Sequence, residues 1–395
     1  MTDALPLAEG SDRPSSELGR FLLSVGSMSA DWTDTFNAVP RALFTPPVVW
    51  SYDMATGQSI TLDHANGPEK WAEATAANVP LITQWDDGAH HGPAVGVVPT
   101  SSLSMPSVVM SMLRDLDVKP GMRVLDAGTG HGWNAALLAH YTGSENVVSI
   151  EYDRSVSGVA ANNLARTGLS PTLVVGDGQQ GWTPGAPYDR IIATYGLRRI
   201  PQAWLEQTKV GGAILAPWGT DFSPLDAVIK LHVQPDGTAS GHFTEMVEFM
   251  KSRSQRLVFP EHATYVPSFP GDADTGTTTA QADDLGDRWS VQRFAIGLAV
   301  PGVTHLIHHQ DDDTTVAWFY SLSDRSWAAV VWRKDQPEAT VYQAGPRRLW
   351  QAVERALEWW QGQGRPELRR FGLTVGHTGT VAWLDDPSSP VPLQS

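Results

Sequence analysis

Three carboxylates and a run of glycines carry the first chemistry visible in this chain. Asp126-Ala-Gly-Thr-Gly-His-Gly132 follows the apolar Val124-Leu125 and precedes a helical pattern, so the order is strand, glycine turn, helix. Glycines let the backbone approach a ligand closely, and the start of the following helix offers free N–H groups. Val147-Val-Ser-Ile-Glu151 is a second strand, ending in a carboxylate suited to a ribose, and Leu173-Val-Val-Gly-Asp-Gly178 is a third, ending at Asp177. A GxGxG turn with an acid about 20 residues later also fits a dinucleotide. Asp126, ahead of the first glycine, would repel a pyrophosphate yet hold a cationic amino-acid moiety, which favours S-adenosylmethionine. On the motif alone, a dinucleotide and a purely structural turn stay open.

The elements that position these acids continue in the same rhythm. Tyr188-Asp-Arg-Ile-Ile-Ala193 reads as a fourth strand, with Val210 to Pro217 and Ala227 to Val233 as further apolar runs. Such alternation predicts an α/β fold with a mostly parallel, doubly wound sheet and helices on both faces. Ligands of these sheets sit at the carboxyl ends of the strands, where Asp126, Glu151 and Asp177 all fall. Any one of the three could instead cap a following helix. Upstream, Leu18 begins a helical pattern, and Phe36 to Phe44 suggests a short helix for which core packing is an adequate account. Residues 51 to 100 are loop-rich, with Val79 to Gly88 as a strand and turn. The adjacent His90 and His91 point apart and have no third ligand, so no metal is expected. Thr100-Ser-Ser-Leu-Ser-Met-Pro-Ser107 precedes a helix, where its hydroxyls would either cap free N–H groups or line a pocket.

At 395 residues the chain has room for an α/β domain of about 250 residues and a second unit. It contains no cysteine, which excludes disulfides, thiolate metal sites and a cysteine nucleophile. A formal charge of −15 opposes polyanions, so no nucleic-acid partner is expected despite the local pair Arg198-Arg199. No run of about 18 apolar residues is present to span a membrane, and the N-terminus lacks a secretory pattern, which predicts a cytoplasmic location. Nothing in the sequence sets an oligomeric state.

Residues 261 to 287, rich in Thr, Asp, Gly and Pro, read as a linker or an excursion. Beyond them Phe294 to Ala299, Thr315 to Tyr320, Ala328 to Trp332, Ala339 to Tyr342 and Phe371 to Val375 are strand candidates, and Pro346 to Trp360 is a helix. Its stripe of Leu349, Val353, Leu357 and Trp360 reads as core, and His308 to Asp313 as a charged turn rather than a metal box. The expected organisation is a flexible N-terminus over 1–17, an S-adenosylmethionine-binding domain over 18–256 and an α+β substrate-recognition domain over 257–395.

In order, these segments resemble the protein-L-isoaspartate O-methyltransferases over roughly residues 18 to 256. Val39-Pro-Arg-Ala-Leu-Phe44 is similar to the family's VPRxxF element, Ser102-Leu-Ser-Met-Pro106 to its T/S-x-S-x-P motif and Val124 to Trp133 to VLEIGTGSGY. His131 and Trp133 stand where the family commonly has Ser and Tyr. The resemblance implies a Rossmann-like class I methyltransferase that uses S-adenosyl-L-methionine. It assigns Ser104 to catalysis and places Ser102, Leu103, Asp126, Gly128, Thr129, Gly130, Glu151, Tyr152, Asp177 and Gly178 at the cofactor. Ser101, Thr194 and Tyr195 go to the substrate side.

Ordinary members of the family end soon after a segment like Val247 to Arg256. The extension beyond it resembles homologues associated with graspetides, lanthipeptides and lasso peptides. That resemblance implies methylation of an aspartate in a modified, ribosomally made precursor peptide, with the ester closing to an aspartimide. General repair of isoaspartyl residues is the alternative, and an inactive cofactor-binding regulator a further one.

Overall fold

The computed structural model describes residues 15–394; most of the expected flexible N-terminal segment lies outside the described residues. The chain divides into two compact units. Unit 1 holds Met1–Tyr195, Pro201–Ala216 and Lys230–Ala239; unit 2 holds Gly196–Ile200, Pro217–Ile229 and Ser240–Ser395.

Unit 1 opens with helices α1 (Glu17–Ser24) and α2 (Thr33–Ala38). Ser16 caps α1 by accepting from the Gly19 N–H at 3.0 Å, as a serine at that position should. Strands β1 (Val48–Tyr52) and β2 (Ser59–Asp63), helix α3 (Pro68–Ala76), and strands β3 (Leu81–Trp85) and β4 (Pro99–Leu103) follow. The strands form a four-stranded sheet in the order β2-β1-β3-β4, which leaves β4 at an edge. Helix α4 (Pro106–Leu116) carries Pro106 in its first turn, where a missing N–H costs nothing.

The parallel core then unfolds as strand β5 (Val124–Ala127), helix α5 (Trp133–Thr142), strand β6 (Val147–Glu151), helix α6 (Arg154–Thr167), and strands β7 (Thr172–Val175) and β8 (Tyr188–Ala193). Helix α7 (Gln202–Gln207) precedes the long strands β9 (Thr208–Trp218), β10 (Asp226–Val233) and β11 (Ala239–Val247). Strand β5 pairs in parallel with β6 on one side and β8 on the other, aligning Ala127 with Ile150 and with Ala193. All four residues of β5 are buried, which is why it reads as an uninterrupted apolar run apart from Asp126. Asp153 caps α6 by accepting from Ser155 and Val156, and Gly168 ends that helix in the left-handed region.

In unit 2, helix α8 (His262–Tyr265), strand β12 (Asp274–Thr278) and helix α9 (Val291–Ala299) lead into strands β13 (Val303–Asp311), β14 (Thr314–Ser321), β15 (Trp327–Arg333) and β16 (Ala339–Ala344). Helix α10 (Leu349–Gly362) and the hairpin β17 (Phe371–Gly376) and β18 (Gly379–Leu384) complete it. Strands β12 to β16 form an antiparallel sheet in the order β12-β16-β15-β14-β13. The largest sheet has nine strands in the order β18-β17-β11-β10-β9-β8-β5-β6-β7.

Two expectations fail in this region. Phe294 to Ala299 is helical, because Ser290 caps α9 and a short apolar run does not by itself separate a helix from a strand. The expected linker supplies β12, whose Asp-Thr-Gly-Thr-Thr pairs along β16 as an edge strand with little side-chain patterning to betray it. The α10 stripe is core as expected: Leu349, Val353, Leu357 and Trp360 are all buried.

Candidate active site

The glycine turn of unit 1 has the shape its composition demands. Gly128, Gly130 and Gly132 all lie at positive φ, where a side chain would be strained. A β-carbon built on Gly128 would stand 2.6 Å from Thr194 Oγ1 and 3.0 Å from Tyr195 Cδ1. Thr194 Oγ1 donates to the Gly128 carbonyl at 2.6 Å, tying the end of β8 to the turn. Helix α5 starts at Gly132 with no side-chain cap, so its first N–H groups are not taken up by a capping side chain.

Asp126 differs from its expected place. It is fully buried, and its two oxygens accept from Asn134 Nδ2 at 2.8 Å and Ser149 Oγ at 2.7 Å. Burial pushes its carboxyl up to about 6 against these two bonds. The carboxylate therefore holds α5 and β6 together beneath the turn rather than presenting an open face to an amine. Thr129 joins the same network, its hydroxyl 2.6 Å from Ser149 Oγ.

Glu151 ends β6 half-buried. Its Oε2 accepts from the Gly130 N–H at 2.8 Å and its Oε1 from the Asp153 N–H at 2.9 Å. Asp177 accepts from the Gln179 N–H at 3.0 Å, and Gly178 beside it is buried. Tyr152, next to Glu151, is mostly exposed.

The serine segment meets the turn. A β-carbon on Gly130 would lie 3.6 Å from the Ser102 carbonyl, so β4 runs alongside the glycines. The hydroxyl cluster does not cap α4, whose N-cap is Met105; the Ser107 N–H instead donates to Asn78 Oδ1 at 2.8 Å. Ser101 Oγ accepts from Thr83 at 3.2 Å. Leu103 has a buried side chain, so it offers only its backbone, and Ser104 is half-buried.

Arg41, in the segment read as plain packing, is the positioning residue that the sequence does not reveal. It is buried, and its Nη2 donates to the carbonyls of Val79 at 2.9 Å, Leu103 at 2.9 Å and Ser104 at 3.1 Å. Its guanidinium sits 5.6 Å from the Trp133 ring centre. Trp133 Nε1 donates to the Val39 carbonyl at 3.1 Å, and the buried His131 Nδ1 donates to the Phe44 carbonyl at 3.2 Å. The two residues that depart from the family pattern thus bind the Val39 to Phe44 element to the glycine turn. The only early signal was the VPRxxF likeness.

His131 yields a pH prediction. Burial pushes it down to about 4, the Phe44 bond opposing. An unfolded histidine titrates near 6.5, so between pH 6.5 and about 4 the unfolded state binds the extra proton. Stability then falls on acidification by up to about 1.4 kcal/mol per pH unit. Asp126 has the opposite sign: its raised carboxyl contributes stability at low pH that is lost as pH rises through about 6. A His131→Gln protein keeps a donor for Phe44 and shares the Asp126 contribution, so its urea midpoint should fall less than wild type on acidification. Equal acid sensitivity would remove His131 from the account.

Residues 81–256 match the family model described as protein-L-isoaspartate(D-aspartate) O-methyltransferase. The chain is 41% identical over 133 residues to the protein-L-isoaspartate O-methyltransferase of Pyrococcus horikoshii, a match covering 33% of this chain and 60% of that protein. With the enzyme of the same name from Thermococcus sibiricus, identity is 38% over 152 residues, or 38% of this chain and 68% of the relative. The chain thus spans less than two thirds of the first relative's length and just over two thirds of the second's. A solved structure of a protein-L-isoaspartate O-methyltransferase has the same overall fold, with a TM-score of 0.52 at 20% identity over 94% of this chain and 99% of its own. With 38% identity across just over two thirds of a relative's length and a family-model match over residues 81–256, the chain belongs to the protein-L-isoaspartate O-methyltransferase family.

Proposed function

We propose that this protein is an S-adenosyl-L-methionine-dependent O-methyltransferase that esterifies an isoaspartyl or aspartyl side-chain carboxylate in a polypeptide. The observation that carries the reading is the approach of β4 to the glycine turn, which sets the Ser101 to Ser104 segment beside the ring of strand-end groups. The residues fit the cofactor: glycines bare of side chains, a helix start without a capping side chain and two strand-end acids. Glu151 would hold the ribose hydroxyls and Asp177 the adenine amine, with Gly128 and Gly130 lining the turn. When bound, the cofactor supplies an electrophilic methyl carbon whose bond to sulfur breaks as a bond to a carboxylate oxygen forms, leaving a neutral thioether.

A substrate carboxylate with a pKa near 4 is already ionised at neutral pH, so no general base is required of the protein. Its task is alignment and exclusion of water. Ser104 orients the carboxylate through its hydroxyl, and Arg41 fixes the Ser104 backbone through the carbonyl bond described above. Ser104→Ala should lower turnover about 10-fold or more with unchanged cofactor affinity. Full turnover on the true substrate would reduce Ser104 to a structural role.

Two substrate classes follow. Repair of isoaspartyl residues in damaged proteins is supported by family membership, and the full-length likeness to a solved isoaspartate methyltransferase extends to the fold of unit 2. Methylation of an aspartate in a modified precursor peptide, followed by aspartimide closure, is supported by the resemblance of the region after Arg256 to peptide-tailoring homologues. Mass spectrometry separates them: the enzyme is incubated with an isoaspartyl peptide and with constrained, aspartate-bearing peptides. A gain of methyl on the first alone supports repair. Methyl gain followed by methanol loss on the second supports tailoring, and no transfer to either would sink the proposal.

A further inference from the structure

Tyr195 is the residue in unit 1 whose chemistry the reading above leaves unused. It follows β8 by one residue beyond Thr194, and its hydroxyl is buried yet has no hydrogen-bond partner among the described residues. Its ring lies against Gly128, and a β-carbon on Gly178 would stand 2.7 Å from its Oη and 3.3 Å from Ala127 Cβ. The side chain therefore spans from the glycine turn after β5 to the acidic turn after β7. Both neighbouring positions are glycine, and a methyl group at Gly178 would collide with the phenol oxygen. Burial first, and then the charges of Asp177, Glu151 and Asp126, the three strand-end acids, hold the phenol well above its ordinary value. The phenol thus keeps its proton and is a donor at any working pH.

A buried hydroxyl without a partner is costly, typically by as much as a hydrogen bond contributes, so native proteins rarely keep one without a reason. Two of the acids beside it are those assigned to ribose and adenine. We infer that Tyr195 is a cofactor-binding residue, its hydroxyl donating to the adenosyl half of the bound cofactor between Gly128 and Gly178. This reassigns it from the substrate side, and it rests on the cofactor reading proposed above. The phenol would close the floor of the pocket and complete its own hydrogen bonding only when the ligand is present.

The inference gives Tyr195→Phe a double signature. The ring and its packing stay, and only the orphaned hydroxyl goes. Calorimetric affinity for S-adenosyl-L-homocysteine should fall about five- to tenfold, and affinity for adenosine by a similar factor, since the contact is to the half they share. Thermal unfolding of the ligand-free protein should move to an equal or higher temperature, because an unsatisfied buried donor has been removed. A tyrosine held by an internal water would behave in the opposite way, with ligand-free stability lowered and both affinities unchanged. That outcome overturns the inference. So does a loss of affinity for S-adenosyl-L-homocysteine with adenosine unaffected, which would move the contact to the amino-acid half. If the wild-type protein binds neither ligand, the cofactor reading itself fails, and the two failures are told apart by that control.

Discussion

An Arg41→Ala protein should lose about 3 to 5 kcal/mol of stability and most of its turnover, the largest effect expected of any single side chain near the site. Its guanidinium donates to the carbonyls of Ala77, Val79, Leu103 and Ser104. Each carbonyl left unpaired in a buried place costs about 1 to 3 kcal/mol, offset where water enters the space. Burial lowers the Arg41 group to about 9, so it remains charged at neutral pH and its bonds are charge-assisted. Arg41→Lys separates fold from function: a lysine restores the charge but cannot fork across Leu103 and Ser104, so stability should recover in part and turnover less. Urea denaturation and steady-state kinetics check both. If Arg41→Ala unfolds at the wild-type midpoint and turns over normally, the carbonyl clamp does not position Ser104.

The strand, turn and helix around Asp126 were legible because buried parallel strands appear as apolar runs and because backbone at positive φ selects glycine. Glu151 and Asp177 were legible by position, at strand ends. The burial of Asp126 was illegible because a sequence shows a carboxylate but not its partners; Asn134 lies on the next helix and Ser149 on the neighbouring strand. Arg41 was illegible for the same reason, since its carbonyl partners lie 36 to 63 residues away in sequence. The resemblance places Tyr195 on the substrate side; its surroundings were illegible because two glycines are brought to it by β5 and β7. In unit 2 the aromatic residues were visible but not their allocation. Phe319, Trp327, Trp332, Trp350 and Trp360 are all buried, and Phe269 from the presumed linker packs against Trp318 and Tyr342, so this surface is mostly core.

A chain ending at Arg256 should fail to fold cooperatively, although the sequence suggests a domain boundary there. Unit 2 takes in Pro217–Ile229 and Ser240–Arg256 together with everything that follows, so the cut passes through a compact body. Phe243 on β11 packs edge-on against Phe294 of α9 at 4.9 Å, and Trp218 meets the same ring at 6.3 Å. Phe222 stacks with His305 at 4.2 Å and Phe319 at 6.2 Å. Further along β11, Ser240 Oγ meets Thr374 Oγ1 at 2.8 Å, and Gly372 comes so close to the Gly241 carbonyl that a β-carbon there would stand 2.5 Å from it. Truncation would expose Phe222 and Phe243 and strip an edge of β11. At about 1.5 to 3 kcal/mol for each large apolar side chain, the loss takes a substantial share of a domain's usual margin of about 5 to 15 kcal/mol. The shortened chain should therefore elute as aggregate or melt without a sharp transition, and show weakened binding of S-adenosyl-L-homocysteine. A cooperative melt with intact ligand affinity would instead support a self-sufficient domain over 18–256, and the region after it would become the sole candidate for substrate recognition. Under the expected result, the role of unit 2 in substrate choice has to be read from exposed substitutions in the full-length protein. Phe259 and Phe269, each about half exposed on the segment that covers β14, are the first positions to change.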